Sequence, residues 1–258
     1  MTMRARRVPG WLVGLIVPAV LLAAWQGAAA SGLVPPAILP APGLVIRTLA
    51  AMAQSGEMAQ ALAATGSRML FGFALGAACA TVLGGLCGSS AAIRALLDPL
   101  IQALRSVPSL AWVPLFILWL GIFEASKITL VAVGVFFPIY LNLVSGIANV
   151  DRKLLEVGRV LGFSSWRRLV RIQLPAALPA YVVGLRGGLG LGWMFVAAAE
   201  LLGATNGLGF ILDDGEQTGR PERVLAALLL FGLCGKLTDR ALAAAGRRLV
   251  SWQDIAAA

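Results

Sequence analysis

Residues 156–179 read EVGRVLGFSSWRRLVRIQLPAALP. Four arginines are set among spaced apolar residues, and two prolines close the stretch. Leu154, Val157 and Leu161 recur at helical spacing, as do Phe163, Trp166 and Val170. Gly162 separates the two patterns and is a natural helix stop. Ser164 or Ser165 can cap the second helix, and Pro175 is expected to end it and open the next element. The segment from about Asp151 to Leu174 thus predicts a helix–turn–helix, apolar on one face and basic on the other. It is too basic to cross a bilayer. Two readings stay open on these residues alone. The arginines of an interfacial helix attract anionic lipid, whereas a protruding knob inserts into a groove on a soluble partner.

What surrounds this insert decides the fold class. The chain is 59% hydrophobic and 13% charged, with a mean hydropathy of +0.86, against roughly 45–50% apolar and 25% charged for soluble domains. The excess apolar content predicts an all-α, polytopic membrane protein. Six segments are candidate spans: about Trp11–Ala30, Met69–Gly88, Val107–Phe123, Ile128–Ile147, Ala176–Ala199 and Arg223–Ala244. The third is short and contains proline. The basic insert falls between the fourth and the fifth. Residues 42–64 form a weakly helical segment that Pro42 is placed to start. No linker, low-complexity run or repeat interrupts the chain, so residues 1–258 are read as one domain.

The net charge of +9 is informative by position. With the N-terminus inside, fifteen Lys and Arg fall on the inner side, including Arg4, Arg6 and Arg7. Five fall on the outer side, Arg47, Arg68, Lys127, Arg220 and Arg223, and Arg186 lies within the fifth span. That bias places both termini in the cytoplasm. Arg4, Arg6 and Arg7, the apolar run and Ala28-Ala29-Ala30-Ser31 also fit a cleavable signal peptide. The length of the run and the following LVPPAILPAPG favour a retained helix. Basic and aromatic residues do not interleave as on a base-stacking platform, which argues against nucleic acid. Histidine is absent, and Cys79, Cys87 and Cys234 have irregular spacing. These facts exclude His-dependent nucleophile pairs, a disulfide framework and a His or Cys metal centre.

Two charges inside predicted helices stand out. Arg186 lies about ten residues into the fifth span, where an arginine should face the bundle interior or a watery path. One reading puts it on an anion route; the other pairs it with an acid on another helix. Glu200, fourteen residues on, is too far to be that acid at ~1.5 Å per residue. It belongs near the outer end of the helix, as a gate or a packing contact. Arg186 and Glu200 are the candidate path residues.

The insert also resembles the signature loop of permease subunits of binding-protein-dependent ABC importers. That pattern is Glu-Ala-Ala, three residues, Gly, nine residues, Ile, one residue, Leu-Pro. Here Glu156 stands at the Glu, Gly162 at the Gly, Ile172 at the Ile and Leu174-Pro175 at the Leu-Pro, while Val157 and Gly158 replace the two alanines. RSVPSLAWVPLFILWLGIF (105–123), GWMFVAAAELLGATNGLGFIL (192–212) and LFGLCGKLTDRAL (230–242) resemble the nitrate/sulfonate/taurine branch. The resemblance implies a non-enzymatic homodimeric permease of the bacterial inner membrane. Its cargo would be a small anion such as an aliphatic sulfonate, taurine or nitrate. Residues 151–174 would be the coupling helix, with Glu156 either pairing with Arg159 or contacting the partner. Two ATP-binding subunits would dock there, and an extracytoplasmic binding protein would deliver the solute. No GxxxxGK[ST] stretch occurs, so ATP and Mg belong to the partner and no cofactor is expected here. A secondary transporter is the main alternative, but it needs coupling-ion ligands and paired broken helices that are not visible. A membrane enzyme needs a convergent set of titratable groups that is likewise missing.

Overall fold

The computed structural model describes residues 10–32 and 34–250, except for the side chains of 10–15 and of Ser109. Arg4, Arg6 and Arg7 lie outside the described residues. The described residues form two compact units, one within 10–59 and 211–229, the other within 60–210 and 230–250. All regular structure among the described residues is helical.

In the first unit, α1 (Gly10–Ala30) is uniformly apolar apart from Gln26. It is followed by α2 (Pro42–Gln54), which opens on Pro42 as expected. The indole of Trp25 donates to the Pro40 carbonyl at 3.0 Å. At Gly56 (φ +80°) the chain turns into α3 (Glu57–Ser89). The unit also takes most of α10 (Leu208–Gln217) and the first part of α11 (Pro221–Leu249). There Arg223 pairs with Glu57 and with Asp214.

The second unit is built on α3, α6 (Glu124–Ala148) and α9 (Leu174–Leu201). Val131, Val135, Ile139 and Tyr140 of α6 are completely buried. Small residues make the close approach. Gly84 and Gly88 of α3 meet Leu143 and Ile147, and Gly184, Gly188 and Gly192 of α9 meet Asn142, Ile139 and Val135. A glycine every fourth residue puts a groove along one helix face, where packing replaces the hydrophobic force that lipid cannot supply. Numbering rises together along α3 and α6 and in opposite senses along α6 and α9, so the first pair is parallel and the second antiparallel. The start of α6 and the end of α9 therefore share one end of the bundle. Residues 148–165 lie at the other end.

A Cβ added at Gly188 would stand 3.0 Å from the Val135 carbonyl oxygen and from Ile139 Cγ1, whereas one at Gly190 meets nothing within 4 Å. Gly188→Leu is expected to cost about 1–3 kcal/mol or more through overpacking, with Gly190→Leu near neutral. Thermal unfolding of the two purified variants compares them directly.

Among the described residues three helical runs are long and apolar enough to cross a membrane: Glu57–Ser89, Glu124–Ala148 and Ser165–Leu201. The third expected span is not a single helix. The chain there forms α4 (Ala91–Ser106), a 3₁₀ turn at Ser109–Trp112 and α5 (Val113–Leu120). The pair Ala91–Ser106 and Leu110–Leu120 bends by 86° and makes up to one more span. Pro108 is the physical reason: Val107 before it is extended, as the proline ring requires. In α11 the expected sixth span is a continuous helix of 29 residues. It carries Lys236, Asp239 and Arg240, which keep it outside a purely apolar count.

Candidate functional site

The arm at residues 151–174 is ordered from its own sequence. Asp151 caps α7 (Arg152–Val160), its Oδ1 accepting from the Lys153 amide at 2.9 Å. Gly162, at φ +69°, ends it. The amides of Gly162 and Phe163 return to the carbonyls of Arg159 and Gly158, both at 2.9 Å, which satisfies carbonyls the helix leaves open. Ser164, rather than Ser165, caps α8 (Ser165–Arg168).

Pro175 does not end the second helix. The chain runs through a widened π turn at Leu169–Gln173 into α9, so residues 165–201 form one continuous helical run. A proline has no N–H for the carbonyl four residues back, and its ring crowds that position; a π turn absorbs both defects without a break. The arm is therefore joined to α9 by helix, not by a loose hinge. Gly158 sits against Ile172, since an added Cβ there would come within 2.6 Å of Ile172 Cδ1. The substitution of glycine for the second alanine thus falls where α7 lies on the second helix. Val157, Leu161 and Trp166 are exposed, and Val160 is 88% exposed. Around them Arg152, Lys153, Arg159 and Arg167 face solvent. Glu156 is exposed and forms no ion pair with Arg159 or any other described residue.

At the opposite end of the second unit lies a charged cluster that the sequence reading did not assemble. Because α3 begins at Glu57, Arg68 lies within a helix rather than in a loop before it, and on the buried face, 3% exposed. Its Nε and Nη2 donate to Glu124 at 2.6 and 2.7 Å. Its Nη1 donates to Glu200 at 2.7 Å and to the Asn206 carbonyl at 2.8 Å, and Nη2 also reaches Asn206 Oδ1. Glu200 is fully buried and accepts further from Thr65 Oγ1 (2.9 Å) and the Gly209 amide (2.8 Å). The Leu208 amide donates to Thr65 Oγ1 at 2.8 Å. Lys127, also buried, donates to the Ile122 carbonyl at 2.9 Å and stands 3.7 Å from Glu124. Thr65 with Arg68, and Glu124 with Lys127, are each spaced i, i+3 beside an apolar run. That same-face spacing is the signal that could have located the cluster.

Arg186 forms a two-pronged pair with Asp239 of α11, at 2.8 and 2.9 Å. The two side chains are 46% and 33% exposed. Glu200 and Arg186 are thus not brought together. Among the described residues no cluster of three or more His, Cys, Asp or Glu could hold a metal ion.

A helical bundle with long apolar helices, carrying at one end a short polar-and-apolar arm continuous with a span, is the architecture of a multi-pass membrane protein. The chain belongs to the family of binding-protein-dependent transport system inner membrane components, whose model matches residues 80–251. It is 41% identical over 249 residues to a protein assigned as the aliphatic sulfonates transport permease protein SsuC of Bacillus subtilis, covering 96% of this chain and 90% of that one. It is 35% identical over 239 residues to the taurine transport system permease protein TauC of Escherichia coli, covering 91% and 87%. In fold it is similar to a chain of the MetNI methionine ABC transporter in an inward-facing conformation, with a TM-score of 0.53 at 22% identity over 79% of this chain and 98% of that one. The chain is the permease subunit of an ATP-driven ABC importer and a multi-pass inner-membrane component. ATP hydrolysis belongs to a separate subunit, and a binding protein is a further partner.

Proposed function

We propose that this chain acts as a single permease domain, pairs with a second copy, and forms a path for a small oxyanion: an aliphatic sulfonate, taurine or nitrate. Two ATPase subunits seat on residues 151–174, with Glu156, Val157, Gly158, Gly162, Ile172, Leu174 and Pro175 shaping the seat, and ATP with Mg is held by those subunits. Both termini are cytoplasmic. The observation that carries the reading is the exposed apolar knob of Val157, Val160, Leu161 and Trp166 on an arm continuous with α9. An apolar knob on a rigid lever fits a protein groove, and a helix moves as a body where a loop would dissipate the push. The half-exposed Arg186–Asp239 pair lies in the middle of two helices. Charges at such depth turn towards protein or water rather than lipid, which supports a second copy or a watery path beside them.

Membrane vesicles carrying the chain with its ATPase and binding protein test the reading. Vanadate-sensitive, ATP-dependent uptake of labelled taurine, methanesulfonate or nitrate is the expected result. Uptake driven by an ion gradient through the chain alone would replace it with a secondary carrier.

A further inference from the structure

The cluster at the end of the bundle remote from the arm contains two buried cations, Arg68 and Lys127, and two carboxylates of very different standing. Glu200 is fully buried and held by Arg68, Thr65 and the Gly209 amide. Glu124 is 58% exposed in its side chain, and its side-chain partners among the described residues are Arg68 and Lys127. It is the first residue of α6, so its side chain can swing outward by rotation about its own bonds.

We infer that Arg68 and Lys127 form an anion-exchange site in which Glu124 is the resident carboxylate that a monovalent, sulfonate-class oxyanion displaces. The class of anion rests on the cargo proposed above. The geometry matches it. Arg68 presents Nε and Nη2 as a fork to the two oxygens of Glu124, and a fork of this kind takes two oxygens of any planar or tetrahedral oxyanion. Lys127 Nζ stands 3.7 Å from Glu124 Oε1, one of the two oxygens in the fork, so it puts a second positive charge beside any oxyanion that takes the carboxylate's place. Charge balances as well. Arg68 and Lys127 against Glu200 and Glu124 sum to zero, and exchanging one monovalent anion for another keeps that sum. A buried cation pair left with Glu200 alone would carry an uncompensated charge, so release of Glu124 without a replacement is disfavoured and release with one is not. The start of α6, which no side chain caps, adds the positive end of a helix. Nη1 of Arg68 stays on Glu200 and Asn206, so the arginine is held in place while its other edge changes partner.

Thermal unfolding of the purified complex of chain and ATPase reads the site. Methanesulfonate is titrated against gluconate at constant ionic strength. Wild type, with Glu124 competing, should need at least tenfold more methanesulfonate for half-maximal stabilisation than Glu124→Gln or Glu124→Ala. Adding Lys127→Met to Glu124→Gln should reverse the gain. If both Glu124 variants respond to methanesulfonate no more than to gluconate, the site does not exist, even where the wild-type complex imports a sulfonate. A response in the variants without uptake by any complex would support the site and sink the cargo reading instead.

Discussion

Replacing Arg68 with methionine is expected to lower stability by about 3–5 kcal/mol, the usual cost of removing one partner from a buried ion pair. Arg68 holds Glu124, Glu200, the Asn206 carbonyl and the Asn206 side chain, so its loss strips α3, α6 and α9 of a shared anchor. The decisive term is Glu200, which has no exposed surface and would be left charged, with only the Thr65 hydroxyl and the Gly209 amide for company. A buried carboxylate without its cation costs free energy. The double variant Arg68→Met, Glu200→Gln should recover a large part of the loss, because it removes the stranded charge. Residues in one network couple strongly, so the two single effects should not add. Unfolding midpoints of the wild type, both single variants and the double variant close that cycle. A strictly additive result would mean that Arg68 acts through shape alone.

The contrast between the two ends of the second unit explains what could be read from sequence. The arm was legible because its signals are local. Ser164 caps by accepting from an amide three residues on, Gly162 turns at positive φ, and the apolar spacing lies within one helix. The long apolar runs of α3, α6 and α9 were legible for the same reason. The charged cluster was not, because its members come from residues 65–68, 124–127 and 200–209, and only the packing of three helices joins them. Reading Arg68 and Lys127 by position gave no hint of pairing: a basic residue at the edge of an apolar run looks like a solvated loop residue until its acid partner is seen. Pro175 failed differently. A proline after a polar helix normally marks its end, but a π turn lets the helix continue, and nothing in the local pattern announces a π turn. The bend at Pro108 was visible as a proline, yet not as a corner of 86°, since the angle depends on what the two halves pack against.

The second large effect belongs to the arm. Val157→Asp combined with Leu161→Asp is expected to abolish ATP-dependent uptake while leaving the permease folded and inserted. Val157 is 55% exposed and Leu161 63%, so within the protomer little is lost; surface changes of this kind usually stay within about 0.5 kcal/mol. In a partner's groove the same two positions would be central, apolar and desolvated. Truncating such an anchor costs roughly 2–4 kcal/mol, or about thirty- to a thousandfold in affinity at 1.4 kcal/mol per decade, and a buried carboxylate adds its own desolvation cost. The ATPase should therefore fail to copurify with the double variant. Two outcomes separate the readings of the arm. If the arm only rests on headgroups, two added carboxylates weaken its attraction to anionic lipid but leave the ATPase bound and uptake intact. If it is the seat of the ATPase, copurification and uptake fall together, and a cysteine at Val160, the most exposed apolar position of α7 at 88%, should cross-link to the ATPase in the otherwise wild-type chain and not in the double variant.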